Sequence, residues 1–155
     1  MVSKTVLGLF TAGVIALGFT SSAMADAKAS IEARQACMKA NGGMMKVMVP
    51  IIKGQKPYDK AAIDAAIAAS QKACGGWADW WGADTKPDTA AGKAAKTEAK
   101  AEIWSDAAGF EAAGTAYVTA EAAVLASTDE ASFKAAFPAL GKSCQGCHEK
   151  FRQAD

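Results

Sequence analysis

Four stretches of the chain carry apolar residues at alternating steps of three and four. That period lines one face of a helix, so each stretch must hide a narrow stripe against a neighbour. The first runs over about 28–53, with Ile31, Met38, Met45, Val49 and Ile52 in its stripe and Pro50 expected to bend its last turns. Gly54 and Pro57 end it. The second covers about 59–81, with Ile63, Ile67, Cys74, Trp77 and Trp81 on one face, weakened near Gly75 and Gly76. "GADTKPDTAAGKAAKTE" follows as the least structured stretch. The third covers about 98–126, with Ile103, Ala107, Phe110, Gly114 and Tyr117 in register. The fourth opens where Ser127 and Glu130 have capping-box spacing, and its stripe is Phe133, Phe137, Leu140, Cys144, Cys147 and Phe151, with a kink expected at Pro138. Four such helices with mostly short links predict an all-α fold, an antiparallel up-down-up-down four-helix bundle. Alanine supplies much of the 51% apolar content and favours helix, and 155 residues suit one compact domain.

The start of the chain does not fit that bundle. Lys4 precedes an apolar run from Val6 to Phe19, and Ala23-Met24-Ala25 has the small-x-small cleavage pattern. This predicts a signal peptide over 1–25, cut before Asp26, and a mature domain over 26–155. An uncleaved anchor is the alternative, but the run is short for a bilayer span. Export would place the cysteines in an oxidising compartment. Without Lys4 the acidic and basic totals are equal, and no long charge run marks a nucleic-acid surface or a polybasic membrane anchor.

Two of the four cysteines and the single histidine fall in "SCQGCHEKF". On a helix, Cys144 and Cys147 lie one turn apart and His148 follows four residues after Cys144, so at ~100° per residue all three project from one side. Two thiols can add to the two vinyl groups of a porphyrin while the imidazole reaches its iron, which is the pattern of c-type haem attachment. A zinc site would need a second ligand pair, for which Cys37 and Cys74 are the candidates. A redox dithiol would open a helix after a strand. A structural disulfide beside a bystander histidine is the third competitor.

The segment "GKSCQGCHEKFR" resembles the haem-binding end of the class II cytochromes c, the cytochrome c′ family, as do "EARQACMKANGGMM", "KGQKPYD" and "EIWSDAAGF". The resemblance covers essentially the whole mature chain. It implies one covalent haem c inside an antiparallel four-helix bundle, commonly a homodimer, in the bacterial periplasm. It also implies His148 as the proximal iron ligand and, by position in "RQACMK", Met38 as the residue across the haem. The family divides there. An apolar residue leaves a five-coordinate iron that binds nitric oxide or carbon monoxide. A methionine can close the sixth position, as in electron carriers of the low-spin branch, and a thioether suits that role. A purely core role for Met38 is the competing expectation.

Arg34 lies one turn before Met38 and Arg152 one turn after His148, so both could meet haem propionates through a guanidinium fork, with solvated helix surface as the competing expectation. Gln35 is a further candidate. Cys37 and Cys74 are nearly equidistant from the turn at Gln55 and Lys56, so antiparallel helices would set them level and permit a disulfide. No second histidine is present to serve as a base, and no catalytic apparatus appears. The expected role is a monohaem electron carrier with redox-protein partners. The alternatives are a gas-binding cytochrome c′ and a haem-free helical module with structural or zinc-binding cysteines.

Overall fold

The computed structural model describes residues 19–153, so most of the expected signal peptide lies outside the described residues. Helix α1 spans Phe19–Ile52 and α2 spans Lys60–Ala73, the latter capped by Asp59, whose side chain accepts from the Ala62 amide. Two 3-10 turns follow, Trp77–Asp79 and Ala83–Thr85, then the short helices α3 (Ala90–Ala94) and α4 (Glu102–Ser105). Helices α5 (Ala107–Leu125) and α6 (Glu130–Phe151) follow. The expected four-helix bundle is borne out: α1 packs on α2, α5 on α6, and the two hairpins meet through α2 and α5. Their shared core includes Met48, Ile63, Ile67, Val124, Phe133 and Leu140.

Several boundaries differ from the sequence expectation, each for a local reason. Helix α2 stops at Ala73 because Cys74 and the glycines after it turn the chain into the Trp77–Asp79 turn. The third helix is broken at Asp106, whose carboxylate accepts from the Gly109 amide at 3.0 Å and so starts α5 afresh. The capping box of α6 is Asp129 with Ser132, not Ser127 with Glu130. Ser127 instead donates to the Val124 carbonyl at 2.6 Å. Pro50 and Pro138 both lie within continuous helices.

The stretch expected to be least structured is folded onto α1. Thr89 caps α3 by accepting from the Gly92 amide, and Ala91 packs with Ala27 and Ile31. Gly92 is required there, since a Cβ would fall 2.0 Å from the Lys86 carbonyl oxygen. The buried stripe of α1 is also shifted from the expected one. Met44, Met48 and Ile51 are inside, whereas Met45, Val49 and Ile52 are half-buried. None of the described helices is long and apolar enough to cross a membrane.

Candidate haem-attachment site

Cys144, Cys147 and His148 lie in the last two turns of α6, and both thiols are free. All three side chains are half-buried. Burial pushes both thiols above their ordinary pKa, and Cys144 raises Cys147 further. Reactive dithiols have depressed values at helix N-termini, so place and protonation both argue against a redox pair. His148 is held below its ordinary value, first by burial and then by Arg152, which favours the neutral ring that can ligate a metal.

The α6 terminus is fastened to the chain before α4. The Lys100 amide donates to the Phe151 carbonyl at 2.9 Å and the Gln153 amide to the Glu98 carbonyl at 2.7 Å, flanking an antiparallel bridge between Ala99 and Arg152. Arg152 also pairs with Glu98 at 3.3 Å. These bonds leave little freedom in the turn that carries His148.

Arg34 is 4% exposed, so it is not a solvated surface residue. Its guanidinium donates to the Thr85 carbonyl at 3.1 Å and to Thr85 Oγ1 at 3.3 Å, and lies 4.4 Å over the Trp81 ring. No carboxylate pairs with it among the described ion pairs, and burial lowers its pKa to about 10. The Trp81 Nε1–H beside it is buried with no acceptor among the described residues. A buried cation next to an unsatisfied donor is a place for an anionic oxygen. Gln35 donates to the Ala95 carbonyl at 3.0 Å.

Ring contacts connect this cation to the cysteine helix. Trp81 meets Phe110 at 4.6 Å and Phe110 meets Phe151 at 5.2 Å, between centroids. Trp104 adds an edge contact and donates its indole N–H to the Trp81 carbonyl at 2.8 Å. Sequence reasoning placed Trp81 and Phe110 only in apolar stripes and missed Thr85. The tryptophans crowded just after a helix end were the available signal.

Met38, one turn beyond Arg34 on α1, is 37% exposed, whereas Met44 and Met48 are buried. It is therefore not a packed core residue. Cys37 beside it is bonded to Cys74, with Cα atoms 4.8 Å apart, as the level placement of the two residues predicted. That bond occupies the two cysteines a zinc site with Cys144 and Cys147 would need, and no three potential ligands gather into a metal cluster among the described residues.

A helical bundle ending in a Cys-x-x-Cys-His turn, with free thiols, a neutral-favoured imidazole and a buried cation without a carboxylate partner among the described residues, fits a covalently attached haem. The chain matches the family described as cytochrome C' over residues 29–152. It is 38% identical over 136 residues to cytochrome c' of Pararhodospirillum photometricum, covering 83% of this chain and 100% of that one. It is 32% identical over 144 residues to cytochrome c-556 of Rhodopseudomonas palustris, covering 90% and 93%. A solved ferrous variant of cytochrome c prime from Alcaligenes xylosoxidans with bound NO superposes with a TM-score of 0.70 at 28% identity, over 83% of this chain and 97% of that one. The chain belongs to the cytochrome c′ family, and its cofactor is covalently attached haem c.

Proposed function

We propose that this chain is an exported monohaem electron carrier of the bacterial periplasm. Cys144 and Cys147 would hold the haem by thioether bonds, with His148 as the proximal ligand and Met38 as the distal one. The bound group supplies a one-electron ferric–ferrous couple. The carrying observation is Met38 itself, an apolar side chain left open one turn from a buried arginine that has no carboxylate partner among the described residues. Arg34 and Trp81 Nε1 are suited to a propionate carboxylate. The clasp at Ala99 and Arg152 fastens the backbone of the turn that carries His148. Its partners would be redox proteins of the same compartment.

The optical spectrum tests this proposal. Low-spin ferric bands are expected in the wild type and high-spin bands in Met38→Ala. A high-spin, five-coordinate wild type would instead establish the second reading, a gas-binding member, which the NO-bound relative favours. Absence of haem staining on a denaturing gel would defeat both.

A further inference from the structure

Residues 34–41 of α1 are held on several sides, and Met38 sits open in their midst. Arg34 is fixed to Thr85 and stacked on Trp81, and Gln35 is bonded to the Ala95 carbonyl. Cys37 is bonded covalently to Cys74, and Asn41 Oδ1 accepts from Ser70 Oγ. Met38 adjoins Cys37, the covalent anchor among these contacts. We infer that the Cys37–Cys74 disulfide is a positioning pair for the distal ligand: it fixes the roll of α1 that presents the Met38 thioether, and so sets whether the iron's sixth position is closed. This inference rests on Met38 ligation as proposed above.

Rotation is the sensitive coordinate. A side-chain tip lies roughly 5–6 Å from a helix axis, so a roll of about 15° moves it by about 1.5 Å. A ligand constellation tolerates only about 0.5 Å. Successive helical side chains diverge by ~100°, so Cys37 can face α2 while Met38 points away from that contact. Cys37 is 1% exposed against 37% for Met38, as that divergence requires.

The far end of the bridge matters as much. Cys74 is the C-cap of α2, and its carbonyl accepts from the Trp77 amide at 3.0 Å. The same segment continues to Trp81, under Arg34. The disulfide and the Arg34–Trp81 stack are therefore two rungs between the same stretches, 34–37 and 74–81. Opening the covalent rung loosens the other, and with it the whole turn that carries Met38.

The test uses the holoprotein. Ascorbate reduces the haem and leaves the disulfide closed. A water-soluble phosphine then opens the bridge, with two electrons from phosphorus and two protons and an oxide oxygen from water, giving two thiols and a phosphine oxide. Thiol counting confirms the opening. Carbon monoxide must displace Met38, so opening is expected to raise its affinity by about tenfold or more, as the binding-competent fraction grows. The Cys37→Ser/Cys74→Ser double variant should show the same rise and a new high-spin ferric band, with far-UV circular dichroism unchanged. If that variant does not fold, the phosphine-opened wild type decides. Met38→Ala should bind carbon monoxide equally well with the bridge open or closed. A wild type that is low-spin and keeps its spectrum and carbon monoxide affinity after opening would overturn the positioning role alone. A wild type already high-spin with the bridge closed would overturn Met38 ligation and this inference together.

Discussion

Replacing Tyr117 by phenylalanine probes the most polar part of the core. The Tyr117 hydroxyl donates to Glu121 Oε1 at 2.6 Å, and Gln71 Nε2 donates to Oε2 at 2.9 Å. Glu121 is 5% exposed, so these donors largely replace its hydration. A hydrogen bond to a charged group contributes about 1.5–3 kcal/mol. Asn41 keeps Ser70 when the tyrosine hydroxyl is removed. Tyr117→Phe should therefore cost about 2–3 kcal/mol, a large share of the ~5–15 kcal/mol typical of a domain. At this length the melting temperature should fall by roughly 7–10 °C. Urea unfolding of wild type, Tyr117→Phe, Glu121→Gln and the double variant closes a cycle, with an expected coupling of about 1–2 kcal/mol. Additivity within about 0.5 kcal/mol would refute a charge-assisted bond.

An alkaline arm checks the same contact. Burial, and then the bond to Glu121, raise the Tyr117 pKa. The group's stabilising contribution is complete below the unfolded value near ~10 and is lost as pH rises from there through the folded value. Wild type should lose stability in that range relative to Tyr117→Phe. Arg34 titrates nearby in both proteins, so their difference reports the tyrosine.

Arg34→Lys keeps the charge but loses the fork and the flat stack on Trp81, and should cost about 1–2 kcal/mol in urea unfolding. An unchanged midpoint would mean the stack contributes nothing. Gly92→Ala should cost on the order of 1–3 kcal/mol, because the new methyl meets backbone and not a movable side chain; a neutral result would show that the 86–92 stretch yields freely. The caps Asp106 and Asp129 are both held below the ordinary carboxylate range, the first by Lys150 and the Gly109 amide, the second by Ser132. Their contribution is present at neutral pH and lost as pH falls through the depressed folded values, so helicity should weaken below about pH 4. Serine at both positions keeps a capping acceptor without the titration, and circular dichroism of that variant should be less acid-sensitive.

The bundle was legible in the apolar spacing because that spacing records which faces are hidden. Phe133, Leu140 and Phe151 are buried as expected. Helix breaks were harder to see. Asp106 ends one helix and starts the next through a single carboxylate-to-amide bond, and an Asp-Ala-Ala-Gly string fits equally well inside a helix. The attachment turn was legible because its chemistry is local, three residues within one turn. Arg34 was only half legible. Its place before Met38 was visible, but its burial depends on Trp81 and Thr85, dozens of residues away on turns with no periodic signature. The disulfide could be anticipated because antiparallel geometry converts equal distance from a turn into equal height.

The pairing of Ala99 with Arg152 changes what the end of α6 is. Helix ends usually fray, and their amide hydrogens exchange with solvent quickly. Here the amides of Lys100, Arg152 and Gln153 are all engaged, the last at 2.7 Å. Mechanically, residues 98–100 act as a buckle over the final turn. Hydrogen exchange in these last residues should be slow, opening with the hairpin of α5 and α6, so that the chain's final described residues behave as part of its interior.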